Sequence, residues 1–212
     1  MHSVMIKICG IRDPNMATQA VALGANFIGI LFHSDSPRFV QLGQAAEISR
    51  ATTEAGAIPV AVFVNHSAAE MIQICNATHI HTVQLHGHKA RAEHPLLPAH
   101  YQRIYVQSIM QSGDILSGPN LHELDPKRDF ILFDHNDPGK GNIFDWSNFY
   151  YDLPFRWFLA GGLSPDNVDD AIKKLKPDGV DVSSGVERAP GDKDPLEIDS
   201  FIRTARGAIH VA

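Results

Sequence analysis

Short apolar runs recur along the chain, and a helix-length segment separates most of them from the next. The seven clear runs lie at residues 4–9, 27–32, 58–64, 81–86, 130–134, 157–161 and 179–183. Each run is almost continuously apolar, which is typical of parallel strands covered on both faces. An eighth strand is inferred at residues 103–107, within the weakly patterned segment 88–129. Eight such units in 212 residues predict one (β/α)8 TIM barrel over residues 1–212, near the lower size limit of that α/β fold.

Helix signals agree with this series of strands. Ser164-Pro165 and Asp194-Pro195 each offer a capping side chain followed by proline at the first helical position. The inferred fifth strand requires a helix at residues 112–121, although that segment contains two glycines and a proline. Further helices are expected at residues 14–23, about 43–55 and about 67–76.

The alternative fold is a doubly wound open sheet. Such a sheet would be expected to carry a glycine-rich turn after its first strand. The turn here is Cys9-Gly10-Ile11-Arg12-Asp13, which does not match the G-x-G-x-x-G pattern. The barrel is therefore the favoured architecture.

Charge and composition exclude several classes of function. With 18 Lys and Arg against 24 Asp and Glu, the net charge of -6 argues against binding to nucleic acid. No window of about 18 apolar residues predicts a membrane span, and residues 1–7 lack the apolar core of a secretory signal. The two cysteines, Cys9 and Cys75, are expected to be free thiols in the cytoplasm. Monomer and homodimer both stay open.

Polar and reactive residues gather where the predicted strands end. In this architecture the active site forms at the carboxyl ends of the strands. The residues found there are Cys9, Arg38, Asn65, His86, Asp134, Gly161-Gly162 and Ser183-Ser184-Gly185. We therefore expect them to line one mouth of the barrel.

Strand alternation places Lys7 and Cys9 on the interior side of the first strand. A lysine ammonium beside a thiol is expected to lower the pKa of the thiol, which would make Cys9 a general base. The alternative is that Cys9 is simply a small buried residue, as we expect for Cys75. On the eighth strand Asp181 shares a face with Ser183, so Asp181 is expected to pair with Lys7.

Asp134 closes the sixth predicted strand. A carboxyl group in a partly apolar mouth can keep a raised pKa and act as a general acid, whereas the alternative is a carboxylate that caps a loop. Arg38 follows Pro37 in the loop after the second strand, where its fork suits a carboxylate. The alternative for Arg38 is a solvated loop arginine.

Two loops that contain glycine or serine predict the binding of an anion. Gly161 and Gly162 follow the seventh strand, and Ser183, Ser184 and Gly185 follow the eighth, where this fold commonly binds phosphate. The pairs His79-x-His81 and His86-x-His88 lack cysteine or acidic ligands at supporting spacing. We therefore expect a phosphate site and no metal.

Taken in order, these residues resemble the phosphoribosylanthranilate isomerase family of tryptophan biosynthesis. The resemblance runs from Lys7 to about Phe201, and only the segment 88–129 carries little of it. Seven motifs carry it, at residues 7–11, 36–40, 62–65, 83–87, 144–146, 159–168 and 180–187. The order and length of these motifs make the match specific.

The resemblance implies an isomerase that needs no cofactor. It would convert N-(5-phosphoribosyl)anthranilate into 1-(2-carboxyphenylamino)-1-deoxyribulose 5-phosphate by an Amadori rearrangement. Asp134 would protonate the ring oxygen and Cys9 would remove the C2 proton. The substrate would be bound by Arg38 at the anthranilate carboxylate, by Lys7, His86 and Asp181 near the sugar, and by Gly161, Gly162, Ser183, Ser184 and Gly185 at the phosphate.

One loop departs from the family pattern. Where the family has a Gly-Gly-Thr-Gly-like sequence, this chain has Pro138-Gly139-Lys140-Gly141. Two other functions therefore stay open. One is an isomerase or epimerase of a related sugar phosphate, which paired acids or metal-binding histidines would favour. The other is a phosphate-binding barrel without activity, which would bind the product but not turn over the substrate.

Overall fold

Eight parallel strands close into a barrel in the order in which they occur along the chain. The computed structural model describes residues 4–116, 121, 123–135 and 145–208. The register passes from β8 back to β1 through Lys7, whose Cα is the partner of Asp181. The predicted barrel, including its inferred fifth strand, is confirmed. The strands are β1 Met5–Cys9, β2 Phe27–Leu31, β3 Ile58–Phe63, β4 Thr82–Leu85, β5 Gln102–Ile109, β6 Phe130–His135, β7 Arg156–Leu159 and β8 Gly179–Val182.

Six α-helices surround the barrel within the described residues. They are α1 Pro14–Leu23, α2 Leu42–Glu54, α3 Ala68–Thr78, α4 His88–Ala92, α5 Val168–Leu175 and α6 Pro195–Gly207. The Asp13 carboxylate caps α1, and Ser67 with Glu70 forms a capping box on α3. Asp194 caps α6 ahead of Pro195, as its sequence predicts. No helix in the described ranges is long and apolar enough to cross a bilayer.

One predicted helix is absent from the described residues, and α5 begins later than predicted. Residues 111–116 form a turn in which Ile115 bridges back to Ile109, so the helix predicted at 112–121 does not form there; residues 117–120 lie outside the described residues. The reversal passes through Gly113 at a φ of +90°, where glycine is favoured. Residues 145–155 form turns and irregular backbone.

Helix α5 begins at Val168 rather than directly after Ser164. The backbone N–H of Ser164 donates to the side chain of Asn167 at 2.8 Å, and the Asn167 amide donates to the carbonyl of Gly162 at 2.9 Å. These bonds hold residues 165–167 as a turn. The loop after β7 is thereby tied to the start of the helix.

The interior of the barrel has an aromatic amino end and a polar carboxyl end. Phe27, Phe130 and Phe158 meet edge to face, with ring centroids 5.3 to 6.0 Å apart. Phe27 and Phe130 are the first residues of β2 and β6, and Phe158 pairs with Gly179 at the start of β8, so this aromatic cluster fills the amino end. Apolar residues of the opposite strand faces pack against the helices in a second layer. The carboxyl end is left to polar groups.

Candidate active site

The first strand directs Lys7 and Cys9 into the barrel, as alternation predicts. Ile6 and Ile8 are fully buried in the outer layer against the helices. Cys9 lies beside Gly29 of β2, and a Cβ atom at Gly29 would lie 2.7 Å from the thiol sulfur. The glycine therefore supplies the space that the Cys9 thiol occupies.

Lys7 and Asp181 form an ion pair across the closure between β1 and β8. Lys7 Nζ donates to Asp181 Oδ1 at 2.9 Å, and the lysine is completely buried, so the predicted pair is confirmed. Burial lowers the pKa of Lys7, but Asp181 and Cys9 together raise it by more than burial lowers it. The net pKa of Lys7 therefore lies above its usual value. Lys7 therefore keeps its positive charge inside the barrel.

The expected activation of Cys9 by Lys7 alone is wrong for the unliganded protein. Burial raises the pKa of the Cys9 thiol, Lys7 and Lys193 lower it, and Asp181 raises it, with a net shift above the usual value. The physical reason is that burial of the thiol outweighs the effect of the Lys7 charge, which Asp181 also offsets in part. Cys75 is buried on α3, and burial raises its pKa to about 12.

Asp134 also faces the interior, one residue before the end of β6. Burial raises the pKa of Asp134 to about 7, with Asp181 adding to the shift while the backbone N–H of His135 and Lys7 oppose it. The hydrogen bond from His135 to Asp134 Oδ1 measures 2.8 Å. The raised pKa expected from the sequence is confirmed, so Asp134 can give or take a proton near neutral pH.

His86 lies next to Asp134. Its Nε2 atom is 3.6 Å from Asp134 Oδ2, and Gln84 Nε2 contacts its Nδ1 atom at 3.2 Å. Burial, with help from Lys7 and Arg91, lowers the pKa of His86 to about 4, so the imidazole is neutral at pH 7. Because the Gln84 amide donates to Nδ1, the ring proton lies on Nε2, which is the nitrogen nearer Asp134.

Arg38 is buried, and the alternative of a solvated loop arginine is wrong. Its Nε and Nη2 atoms donate to the two carboxylate oxygens of Glu187, each at 2.7 Å. This bidentate contact uses one edge of the guanidinium, and the Nη1–Nη2 edge is the second place for a carboxylate. The side chain lies across Gly10, where a Cβ atom would be 2.6 Å from Arg38 Cδ.

Glu187 and Lys193 are the charged residues that sequence reasoning missed. They lie on a two-stranded antiparallel ribbon of β9, Glu187–Ala189, and β10, Asp192–Lys193. Lys193 Nζ donates to Glu187 Oε1 at 2.7 Å and to the carbonyl of Ser183 at 2.8 Å, and both charged side chains are at most 4% exposed. Glu187 falls within the last family motif, but no sequence pattern indicates its partners.

The two loops predicted to bind phosphate adjoin each other. A Cβ atom at Gly185 would overlap the carbonyl oxygen of Leu163, so only glycine allows this contact. Gly161 and Gly162 both have positive φ, of 85° and 67°. A Cβ atom at Gly161 would lie 3.0 Å from Asp134 Oδ1.

The loop after β8 reaches the first strand as well. The hydroxyl of Ser183 donates to the carbonyl of Cys9 at 3.1 Å, and Ser184–Val186 form a short 3-10 helix. The structure thus brings together both predicted phosphate loops, Cys9, Asp134, Asp181 and Lys7. The altered loop at residues 138–141 lies outside the described residues.

Metal ligation has no support among the residues that the structure describes. No group of three or more histidine, cysteine, aspartate or glutamate side chains there could hold a metal ion. Asp134 and Cys9 bring a carboxyl group and a thiol to this mouth, and both groups can take part in proton transfer.

Comparisons with known proteins point to one family. The model of the family described as N-(5'phosphoribosyl)anthranilate (PRA) isomerase matches residues 6–204. The N-(5'-phosphoribosyl)anthranilate isomerase of Chlamydia felis is 38% identical over 202 residues, which covers 95% of this chain and 96% of the relative.

Solved structures agree with the sequence matches. The phosphoribosyl anthranilate isomerase of Thermotoga maritima superposes with a TM-score of 0.78 at 31% identity, covering 96% of this chain and 99% of that one. A phosphoribosyl anthranilate isomerase in complex with reduced 1-(o-carboxyphenylamino)-1-deoxyribulose 5-phosphate has a TM-score of 0.75 at 30% identity, with the same coverage.

Proposed function

Because this chain belongs to the N-(5'-phosphoribosyl)anthranilate isomerase family, and so isomerises that sugar phosphate, we propose that Asp134 and Cys9 carry the proton transfers. The observation that supports the proposal most strongly is the pKa of Asp134, which burial raises to about 7. A carboxyl group with that pKa holds a proton that it can donate at neutral pH. The thiol of Cys9 lies on a different strand of the same mouth.

The reaction begins with ring opening. The proton of Asp134 moves to the ring oxygen, the bond between that oxygen and C1 breaks, and the nitrogen lone pair forms a C1=N bond. Cys9 as thiolate then takes the proton from C2, and the electron pair of that C–H bond forms C1=C2 while the C1=N pair returns to nitrogen. In the final tautomerisation the Asp134 carboxylate takes the proton of the C2 hydroxyl and the Cys9 thiol gives its proton to C1, so the C1=C2 bond becomes the C2=O bond of the ketone and both side chains return to their starting forms.

This division of roles requires that Asp134 is protonated and that Cys9 is a thiolate. Only a minor fraction of the free enzyme has this combination. The pKa of Cys9 lies above its usual value, and that of Asp134 is about 7, so most molecules with one proton between them carry it on sulfur. The reactive form carries it on Asp134 instead. The positive charges of Lys7 and Lys193 lower the pKa of Cys9 and thereby enlarge the reactive fraction.

Two anionic ends of the substrate supply positioning. Gly161, Gly162, Ser183, Ser184 and Gly185 would hold the phosphate, with Arg38 at the anthranilate carboxylate. Lys7, His86 and Asp181 would line the sugar between these ends. Fixing both ends of the substrate brings C2 and the ring oxygen to Cys9 and Asp134. This positioning speeds the reaction relative to the same groups free in solution. A cytoplasmic setting fits this proposal, because Cys9 must stay a thiol and both cysteines are unpaired.

The test is to replace each proton-transferring group. We expect Cys9→Ala and Asp134→Asn each to lower kcat/KM for phosphoribosylanthranilate at least about 100-fold, since general acid–base groups contribute that much or more. Cys75→Ala is the matched control, because Cys75 is buried on α3 and is expected to leave kcat within a few-fold. Activity of either site variant near that of the parent would refute its role. Binding of the product by a parent protein that shows no turnover would select the inactive phosphate-binding barrel instead.

A further inference from the structure

Glu187 and Lys193 are buried charged residues that neither give nor take a proton in the proposed reaction. We propose that they are positioning residues that hold Arg38 for the carboxylate of the substrate, and that they thereby set the preference for an aromatic amine carrying that carboxylate. This inference rests on the proposed function.

The first step is the orientation of the guanidinium. Arg38 reaches Glu187 through two bonds of 2.7 Å, a planar contact that fixes both the position and the tilt of the fork. Glu187 occupies one edge of the guanidinium. The remaining Nη1–Nη2 edge is therefore already oriented when a substrate carboxylate binds to it. The entropy of ordering a long side chain is then lost on folding and not on binding.

The second step is charge. Arg38 and Glu187 alone form a neutral pair, and the Glu187 carboxylate would repel an approaching anion. Lys193, 2.7 Å from Glu187 Oε1, restores a net positive charge to the group of three. The two cations lower the pKa of Glu187 despite its burial, which raises it, so the glutamate stays ionised.

The third step is the anchor of Lys193 itself. Its ammonium also donates to the carbonyl of Ser183 at 2.8 Å, and the Ser183 hydroxyl donates to the carbonyl of Cys9 at 3.1 Å. The ribbon that carries Lys193 packs against the loop that carries Arg38, where a Cβ atom at Gly191 would be 2.6 Å from the carbonyl of Pro37. The hydrogen-bond network that holds the Arg38 guanidinium therefore extends to Cys9, the proposed base.

The experiment compares two substrates that differ only in the carboxylate. These are the N-(5-phosphoribosyl) adducts of anthranilate and of aniline. We expect Lys193→Met to lower kcat/KM for the anthranilate adduct about 10- to 100-fold more than kcat/KM for the aniline adduct, with the difference mainly in KM. The aniline adduct measures the part of the loss that comes from removing the Lys193 charge near Cys9. A merely structural role would lower both values equally. Lys193→Arg, which keeps the charge, should recover part of the preference.

A matched control and a second variant keep the test decisive. Lys173→Met removes a lysine whose side chain is 46% exposed on α5, and both adducts should react as with the parent. If Lys193→Met does not fold, Glu187→Gln has nearly the same shape and loses one of the two bonds to Arg38. It should lower the preference for the anthranilate adduct about tenfold.

The outcomes separate this inference from the proposed function. A parent protein that turns over neither adduct contradicts the function itself. If Arg38→Met abolishes the preference for the carboxylate but Lys193→Met or Glu187→Gln slows both adducts equally, the function stands and the positioning role is overturned.

Discussion

At the scale of single residues, proton affinity in the barrel mouth is set by what each group is buried against. Alternation along the strands was enough to predict that Lys7 would meet Asp181. It was not enough to predict the direction of the Cys9 pKa shift, because burial of the thiol outweighs the Lys7 charge and Asp181 offsets that charge across the closure of the barrel. Residue spacing predicts which face of a strand a side chain occupies, whereas the pKa of that side chain depends on its burial and on all the charges around it.

The raised pKa of Asp134 makes a prediction about stability. A carboxyl group whose pKa is 3.8 when exposed and about 7 when folded stabilises the native state most below pH 3.8, and this contribution is lost as the pH rises to 7. Asp134→Asn removes the cost of ionising the buried group. We expect the variant to gain on the order of 2–4 kcal/mol in unfolding free energy over the parent at pH 8, since one pKa unit corresponds to about 1.4 kcal/mol.

Urea unfolding at pH 4.5, 6 and 8 would measure this gain. The difference between variant and parent should grow with pH over this range. Equal stability of the two proteins at pH 8 would show that Asp134 ionises without cost in the folded protein, and the argument for it as a neutral-pH acid would fall with it.

At the scale of elements, close approach between strands and loops explains several glycines near the site. Gly29 lies in the middle of β2, where its Cα is the partner of Cys9. The sequence predicts this strand, but neither its register against β1 nor the need for a missing side chain. Both become visible only when the two strands are paired.

Gly29→Ala tests that requirement. The added methyl group would lie 2.7 Å from the Cys9 sulfur, so the thiol must turn or the strands must separate. We expect an unfolding free energy lower by about 1–3 kcal/mol and a loss of kcat at least about tenfold. The control is Gly43→Ala on α2, where nothing lies within 4 Å of the added atom, and stability there should rise by about 0.5–1 kcal/mol. A fully active Gly29→Ala protein would mean that the thiol does not need its present position.

The elements that the sequence did not predict correctly share a physical cause. After β5, the chain turns through Gly113 and pairs Ile115 with Ile109, so local bridging replaces the expected helix. Before α5, the side chain of Asn167 bonds back to Ser164 and delays the helix. In both places short-range hydrogen bonds of a particular loop outweigh the average tendency of the βα repeat.

At the scale of the whole molecule, a charged pair between residues far apart in sequence lies at the closure of the barrel. Lys7 and Asp181 join the first and last strands in the interior. We expect Lys7→Met to lower the unfolding free energy by about 3–5 kcal/mol, because it leaves Asp181 buried without its counter-charge. The double change Lys7→Met with Asp181→Leu should recover much of this loss, as measured by urea unfolding. If the double variant is as unstable as the single one, the loss comes from packing and not from charge.

The overall architecture was predictable from the spacing of apolar runs alone. The pattern of strands depends on burial of both faces, which any member of such a fold must satisfy. The contacts of Arg38 with Glu187 and of Glu187 with Lys193 join the loop after β2 to the ribbon of β9 and β10, which lies about 150 residues later in the chain. Nothing local distinguishes these charged residues from solvated ones, so only the folded chain reveals them.

The aromatic cluster of Phe27, Phe130 and Phe158 has a consequence for how this protein can change over generations. It is separated from the proton-transferring groups along the barrel axis. Variation among those rings can alter heat tolerance, while variation in the opposite rim alters which molecules are accepted. Selection can therefore change durability at the ring cluster without changing chemical preference, whereas changes at the rim alter both traits together.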